Sequence, residues 1–545
     1  MQLTFTALVA LLGWIPLMVL LFMVVPLRRA LLTAMVVGFL FLPQAYIEIR
    51  GGLPDYTRYV AMSAGCLLAL LILDFSRLAR FRPTKVDIPA LIWVLVPIAS
   101  SVSNGLGVYD GVSASITRVV EFGLFYIYGR VYLSDVEGLR LLALALFLGA
   151  LVYVPLCLYE VRMSPQIHNI VYGFHQHDFS QTLRLGGWRP MVFMQHGLAL
   201  GMFLSTTTLL GFVLWSGGYL KAFAGFELLC LGALVVTLVL CRSSMALLLF
   251  AAGIGVLMGV RATRSPWPLL LLTLIPVTYV TVRSTGVWDG RVLVELASTY
   301  VNPERAQSLE FRLDNEDLLI DRALEQPLLG WAGWGRSRVV TEEGRTTITD
   351  GYWILFLGRN GLIGLAAGML LHLFPSWLFM ASVPARRWFE PEPLLVFAFC
   401  LFLALYMIDN LLNAMNSPFT MLASGATLGL LDSLRQQQQV YAEPALPILS
   451  TRELLELSGH DLAAYAFVRW GDEEYHRREH ELQLALAALD PDDWRDWRTF
   501  SDLFERLMFS LRRPQIDRFL GLPVGQKKQL ALFLTGQGQR RPQLS

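Results

Sequence analysis

Arginine is the residue type in this chain whose abundance most suggests a chemical role, because it replaces lysine almost everywhere. Four of the 44 basic residues are lysines, which leaves 40 arginines. The planar guanidinium group binds phosphate through two parallel hydrogen bonds, which an ammonium group cannot do. A GC-rich coding sequence is the alternative explanation for this bias, so the positions of the arginines must decide between the two.

The segment 284–350 contains the most informative group of charged residues. Within it, the stretch 311–325 predicts an amphipathic helix, on which Arg312, Glu316 and Leu319 share one side. The sequence PLLGWAGWG that follows predicts a break and a glycine-rich turn. Solvated salt bridges are the alternative role for most of these charges, and for Arg312 the alternative is a surface ion pair with Glu316. The basic residues are Arg291, Arg305, Arg312, Arg322, Arg336, Arg338 and Arg345, and the acidic ones include Glu304, Glu310, Asp314, Glu316, Asp317, Asp321 and Glu325.

Other charged residues lie beside or inside apolar stretches. Arg242 falls in a turn between two of them, where a charge is costly unless it has a partner. Its alternative role is to extend to the membrane interface. Arg118 and Glu121 are three residues apart and could pair on one helix face. Asp409, near the end of its stretch, is either a site residue or a helix contact.

No cofactor is expected from the sequence. His168, His175, His177 and Asp178 are close together, but the H-x-H spacing is loose for a structural zinc site and no cysteine is nearby. The five cysteines all lie in apolar runs, where cysteine usually behaves as a small hydrophobic residue. A nucleotide-binding glycine loop is not found, so an ATP-driven pump is not favoured.

The composition predicts an integral membrane protein. The chain is 55% hydrophobic and 16% charged, with a mean hydropathy of +0.51, whereas soluble proteins have about 25% charged residues. The net charge of +1 gives no reason to expect nucleic acid as a partner.

Apolar stretches able to cross a bilayer, or nearly so, recur along the chain. They predict an all-α, polytopic transmembrane bundle of about 12–13 helices in residues 1–434. The stretches are 3–25, 30–48, 59–75, 88–106, 113–133, 140–161, 191–215, 223–241, 244–260, 267–282, 361–381, 394–413 and 418–434.

The short basic loops predict the orientation of the bundle. Placing the clusters at 28–29, 77–85, 261–264 and 386–387 in the cytoplasm satisfies the positive-inside rule. The loops 162–190 and 284–350 then lie outside the cytoplasm, and the C-terminus lies inside it.

Residues 435–545 form a different kind of segment. From 451 to 545 there are 14 basic and 15 acidic residues, and several runs have helical periodicity. We therefore expect a small, charged, helical cytoplasmic tail.

The segments 311–335 and 350–365 resemble the O-antigen ligase/polymerase superfamily of bacterial surface-polysaccharide assembly. The first reads FRLDNEDLLIDRALEQPLLGWAGWG, and the second reads DGYWILFLGRNGLIGL and includes the G-x-x-G of Gly361 and Gly364. The pattern is similar to the Arg-led helix, proline, glycine turn and short polar motif of that family. Two upstream pieces are also similar: Arg189-Pro190 with Gln195-His196-Gly197, and Cys241-Arg242-Ser243-Ser244.

The sequence departs from the family at one position. Ligases of this superfamily have a histidine in the motif that here reads Thr349-Asp350-Gly351-Tyr352. Asp350 takes the place of that histidine, which is compatible with the polymerase-like members and weakens the case for a lipid A-core ligase.

The resemblance implies a glycosyltransferase-like enzyme in a bacterial inner membrane. Such an enzyme transfers an oligosaccharide from a polyprenyl diphosphate to an acceptor hydroxyl at the periplasmic face, without metal or nucleotide. The departing diphosphate needs charge stabilisation, which fixed arginines can supply, and the hydroxyl needs a base. We expect Arg242 and Arg312 to bind the diphosphate and Asp350 to act as the base or, alternatively, to cap the helix that follows.

The remaining expected site residues would bind substrate. Arg189 and His196 would line the glycan path, although a histidine at a helix entrance often only bonds the backbone, and Arg118 and Glu316 are further candidates. The expected partners are the lipid-linked oligosaccharide, membrane lipid and other polysaccharide-assembly proteins.

Two other functions fit the same composition. The first is a polysaccharide-lipid flippase or other transporter, although internally repeated halves are not apparent. The second is a scaffold of an envelope complex that acts through the charged tail.

Overall fold

The computed structural model of the chain is mostly α-helical in the residues that it describes. It describes residues 3–442 apart from 50, 185, 224, 301–302, 341–343, 345 and 348–350. The chain divides into two units, Met1–Asp432 and Ser433–Ser545. From residue 443 onward, the predicted cytoplasmic tail lies outside the described residues.

Helices follow one another along the chain with two short β-hairpins between them. The hairpins pair β1 (Tyr46–Ile47) with β2 (Tyr56–Thr57), and β3 (Leu183–Arg184) with β4 (Gly187–Trp188). The helices are α1 (Phe5–Val24), α2 (Leu27–Phe41), α3 (Arg58–Leu73), α4 (Phe75–Arg80), α5 (Ile88–Ser103), α6 (Gly107–Arg118), α7 (Leu124–Tyr132), α8 (Val136–Met163), α9 (Ile167–Tyr172), α10 (Gly197–Ser216), α11 (Glu227–Leu240), α12 (Ser244–Thr263), α13 (Trp267–Ser284), α14 (Arg291–Tyr300), α15 (Pro303–Leu324), α16 (Tyr352–Ser382), α17 (Pro391–Leu412) and α18 (Pro418–Ala442).

All thirteen predicted apolar stretches overlap helices, although 30–48 runs past the end of α2 into β1 and 361–381 covers only the later part of α16. The stretch 113–133 corresponds to α6 and α7, which are joined by a π-helical turn at Val119–Gly123. Among the described residues, eight helices are long and apolar enough to cross a membrane, and α3 and α11 are shorter apolar helices. The eight spans are Phe5–Val24, Lys85–Ser103, Val136–Met163, Gly197–Ser216, Ser244–Thr263, Trp267–Ser284, Tyr352–Ser382 and Pro391–Leu412.

Helix α17 lies at the centre of the bundle. Its apolar segment is completely buried, and the helix packs against α8, α10, α12, α13 and α16. A helix that is apolar on every side is expected in such a position. The carboxylate of Asp409, near its C-terminal end, accepts a hydrogen bond from the Asn413 amide at 2.7 Å.

One end of the bundle, called the loop end below, is formed by the described residues within 104–110, 164–196, 241–243, 284–351 and 412–417. Hydrogen bonds join these segments to one another. Asn104 donates to the carbonyl oxygen of Gly330 at 2.7 Å, and Arg312 donates to that of Leu412 at 3.1 Å. Both long loops of the sequence lie at this end, because Arg189 of the first and Arg312 of the second line the same cavity.

The basic clusters lie near the opposite end. There Arg28 pairs with Asp135, and Arg130 pairs with Asp87 at 2.7 Å. The Arg261 guanidinium lies over the ring of Phe389, 5.7 Å from its centroid. The alternation of the helices thus places the clusters that contain Arg28 and Arg261 away from the two long loops.

Much of the longer loop is helical. It contains α14 and α15, and α15 begins at Pro303, eight residues before the predicted start. Its buried face is formed by Leu313, Glu316, Leu319, Ile320 and Ala323, which confirms the amphipathic pattern. The predicted break after it is also confirmed, because Gly330, Ala332, Trp334 and Gly335 have positive φ angles.

The turn after α15 packs into a break in α16. The backbone of α16 leaves the helical conformation at Gly361, with φ 61° and ψ −166°. The amide of Ala332 donates to the carbonyl of Arg359 at 2.9 Å, and the amide of Leu362 donates to that of Pro327 at 2.7 Å. The break therefore exposes backbone groups of α16 that the turn then satisfies.

Candidate functional site

A small polar cavity of about 130 Å³ lies at the loop end. We call it the arginine cavity, because its described lining includes two guanidinium groups and no carboxylate. A cavity of this size has room for a compact anion. Its lining residues are Arg189, Leu198, Ser243, Ser244, Met245, Ser308, Leu309, Arg312, Leu412 and Asn413.

Arg189 reaches the arginine cavity from the β3–β4 hairpin. Its backbone amide donates to the carbonyl of Thr182 at 2.7 Å, which fixes the residue just after β4. Its side chain is buried and crosses the face of Gly197, where a Cβ atom would overlap it. One guanidinium nitrogen donates to the carbonyl of Arg242 at 3.2 Å. The guanidinium is thereby held at the C-terminal end of α11, where a cation interacts favourably with the helix dipole.

Arg242 occupies the turn between α11 and α12, as predicted. Its backbone has a φ of 52°, which is unusual for a residue other than glycine. The guanidinium packs on Gly187 and donates to the carbonyl of Arg184 at 3.4 Å. The side chain of Arg242 therefore lies against the hairpin beside the arginine cavity, whereas the next two residues, Ser243 and Ser244, line the cavity itself.

Arg312 lines the cavity from α15 and donates to the carbonyl of Leu412 at the end of α17, at 3.1 Å. The alternative role of Arg312, a surface ion pair with Glu316, is wrong, because the Glu316 side chain bonds to other partners. It is buried and accepts hydrogen bonds from Tyr279 at 2.8 Å and Trp353 at 3.1 Å.

A buried network holds α15 in place. Arg283 at the end of α13 lies 3.3 Å from the Glu316 carboxylate and 2.8 Å from that of Asp317. It also donates to the carbonyl of Leu313 at 3.1 Å. Burial raises the pKa of Glu316, and the hydrogen bonds and the Arg283 charge oppose that effect. Glu316 is thus a positioning residue for the helix that carries Arg312.

His196 caps α10 rather than lining the arginine cavity directly. Its Nδ1 accepts a hydrogen bond from the amide of Leu198 at 3.0 Å, and its Nε2 faces the Gln181 oxygen at 3.3 Å. Burial, followed by the charges of His177, Arg189, Arg184 and Arg312, lowers its pKa to about 3. The imidazole is therefore neutral at physiological pH.

Arg118 lies in a different place. It donates to the carbonyl of Trp93 at 2.7 Å and to the side chain of Asn360. Glu121 accepts instead from Thr57 at 3.3 Å, so the pair expected on one helix face does not form. Arg118 lines a second cavity, between α5, α6 and α16.

Asp350, the predicted base, lies outside the described residues. The next residue, Gly351, packs against the carbonyl of Leu411, one residue before the Leu412 carbonyl that Arg312 contacts. The chain therefore returns to the neighbourhood of the arginine cavity directly after Asp350.

Sequence reasoning did not single out several residues of these two cavities. Ser308, Asn413 and Arg359 line them. For Arg359 the signal was present, since a charge in the apolar run 352–381 is expensive and usually functional. Asn413 ends the predicted apolar stretch 394–413, where a polar residue is a weaker signal than a charge, and nothing in the local sequence of Ser308 distinguishes it from a surface residue.

The chain was compared with models of known protein families and with curated proteins. Neither comparison gives a match.

Proposed function

We propose that this protein is a membrane glycan polymerase or ligase that transfers an oligosaccharide from a polyprenyl diphosphate to an acceptor hydroxyl. The observation that carries the proposal is the convergence of Arg189 and Arg312 on one small cavity with serine hydroxyls and an amide around it. Such a cavity matches the diphosphate of the donor in charge and size. The motif resemblance at 311–335 and 350–365 supports the same reaction.

The arginines would stabilise the leaving group. As the bond between the sugar and the diphosphate breaks, negative charge grows on the diphosphate oxygens. The carbonyls of Arg242 and Leu412 already hold the two guanidinium groups in place. The groups therefore need little rearrangement to bind that charge, and this preorganisation lowers the barrier. We assign Asp350 the role of base for the attacking hydroxyl, on the family resemblance and on the position of Gly351.

We place the reaction at the periplasmic face of a bacterial inner membrane, with the C-terminus in the cytoplasm. Support comes from the separation of the long loops from the basic clusters, combined with the positive-inside rule. The arginine cavity opens among residues of the loop end, and the cavity that Arg118 lines reaches that end at Ala332 and Gly333, which supports transfer at one face.

The test is incubation of the purified protein with a polyprenyl-diphosphate oligosaccharide, followed by gel analysis of the product. Polymerisation predicts a ladder of products whose spacing equals one repeat unit, without added metal or nucleotide. Unchanged starting material under conditions where the protein remains folded would contradict the proposal.

A further inference from the structure

The second cavity has a volume of about 420 Å³, and its charged lining residues, Arg118, Glu121 and Arg359, are not part of the arginine cavity. Its walls are aromatic and aliphatic, from Trp93 and Pro97 of α5, Phe122 of the π-helical turn and Phe356 of α16. Ala332 and Gly333, at the loop end, complete it. Both irregular helical segments of this region, the π-helical turn and the region of the α16 break, thus border the same space, and π-helical turns are frequent at functional sites.

Arg118 is fixed in one orientation at the cavity wall. Besides its hydrogen bonds to Trp93 and Asn360, its guanidinium lies 5.0 Å from the ring centroid of Trp93 and 4.9 Å from that of Phe356. Aromatic faces stabilise a cation but leave its charge uncompensated. The side chain is therefore held in place, and its charge remains available to a ligand.

Arg359 brings a second positive charge to the same cavity. Its described electrostatic neighbours are Arg338, which repels it, and Tyr352; Arg118 and Arg359 also repel each other. Glu121 is the one carboxylate in the described lining. A pair of guanidinium groups in an apolar cavity is costly unless an anion completes it.

The two cavities lie on either side of the start of α16 and the end of α17. Tyr352 lines the second cavity, and its hydroxyl accepts a hydrogen bond from Asn416 at 3.0 Å. Leu412 and Asn413, a few residues earlier, line the arginine cavity. Ligands in the two cavities would therefore face each other across the segment that follows Asp350.

We propose that the second cavity binds the phosphate group of a lipid, with the guanidinium groups of Arg118 and Arg359 on the headgroup and the aromatic walls beside the chain. Two sources share this chemistry, a second polyprenyl diphosphate and an anionic phospholipid. Binding of a second polyprenyl diphosphate rests on the proposed function, in which that lipid carries the acceptor. Binding of an anionic phospholipid does not rest on it.

The test counts lipids bound to the full-length protein by native mass spectrometry. The probes are undecaprenyl diphosphate and phosphatidylglycerol, titrated separately. Wild-type protein is expected to bind two equivalents of undecaprenyl diphosphate, and R359Q and R312Q are each expected to lose one. Loss of one bidentate phosphate contact should weaken that site at least about tenfold. R387Q is the control, since Arg387 is exposed and paired with Glu390.

Arg359 is the better position for the test because Arg118 also holds α5 to α16, and its replacement could disturb folding. The R359K variant keeps the positive charge but lacks the paired N–H donors of a guanidinium group, so it should bind the lipid probes with intermediate affinity. If phosphatidylglycerol occupies the Arg359-dependent site and undecaprenyl diphosphate does not, the inference holds with a phospholipid as ligand. Binding of both probes by R359Q with wild-type stoichiometry and affinity would overturn it.

The outcome is separable from that of the proposed function. Arg359-dependent lipid binding in a protein that forms no glycan product would leave the second cavity established and the proposed function refuted. Glycan synthesis by a protein in which R359Q binds both lipids normally would refute the second cavity alone.

Discussion

The guanidinium of Arg189 donates a hydrogen bond to the backbone carbonyl of Arg242 at 3.2 Å. The two residues are 53 positions apart, and the contact joins the β3–β4 hairpin to the turn between α11 and α12. The guanidinium of Arg242 in turn donates a hydrogen bond to the backbone carbonyl of Arg184 in the hairpin. These reciprocal contacts fix the wall of the arginine cavity on which Ser243 and Ser244 lie.

Replacing Arg242 with alanine should abolish polymer while the protein remains in the membrane. The change removes the guanidinium that holds the hairpin, and with it the position of Arg189. The measurement is polymer yield and length in cells, with membrane content of the protein checked by immunoblot. R264A is a matched control, because Arg264 also has a left-handed backbone at a helix end, with φ 51°, but is exposed. Normal polymer from R242A would show that the hairpin contact is dispensable.

The E316Q variant should lower the free energy of unfolding by about 3 kcal/mol, because it leaves Arg283 buried without its full countercharge. Activity should fall as well, since Glu316 positions the helix that carries Arg312. E310Q on the same helix is the control: Glu310 pairs with Arg291 at the surface, and its loss should cost less than about 1 kcal/mol. Denaturant titrations of purified protein measure both values, and equal values for the two variants would contradict the assigned role.

The helices could be predicted from the sequence because an apolar run is a local pattern. The amphipathic face of α15 and the turn at 241–243 are local in the same sense, and both are confirmed. The start of α15 was placed too late because residues 303–310 carry little apolar periodicity.

The contacts that build the site could not be predicted, because they join residues far apart in the sequence. Helix spacing pointed to Arg312 as the partner of Glu316, whereas the fold supplies Tyr279, Arg283 and Trp353. Burial decided this outcome: a carboxylate that leaves water requires several donors, and neighbouring helices provide more than one residue on the same helix does.

The G361A variant should destabilise the protein and displace the turn at 327–332. Gly361 has a positive φ, and a Cβ atom there would lie 2.5 Å from the backbone nitrogen of Leu329. The strained conformation alone costs about 1–3 kcal/mol. G255A is the control, since a Cβ atom at Gly255 in α12 meets nothing within 4 Å, and the change should be neutral or slightly stabilising. Thermal unfolding of the two purified variants compares them; equal midpoints would contradict the described break.

Acid should destabilise the wild-type protein through His196. Its pKa is about 3 in the folded protein and 6.5 ordinarily, so between these values the unfolded chain binds a proton that the folded protein excludes. The stability contribution is complete above about pH 6.5 and is lost as the pH falls towards 3, by up to about 1.4 kcal/mol per pH unit. H196N keeps a capping acceptor for Leu198 and removes this titration. Its unfolding free energy should therefore fall less steeply with decreasing pH, and parallel curves for the two proteins would show that His196 titrates normally.

The most direct test of the central claim is a cryo-electron microscopy structure of the protein with a non-hydrolysable polyprenyl-diphosphate oligosaccharide. The account predicts the diphosphate in the cavity between Arg189 and Arg312, with guanidinium nitrogens about 2.7–2.9 Å from its oxygens. A diphosphate bound at the opposite end of the bundle, or bound without contact to either arginine, would contradict it.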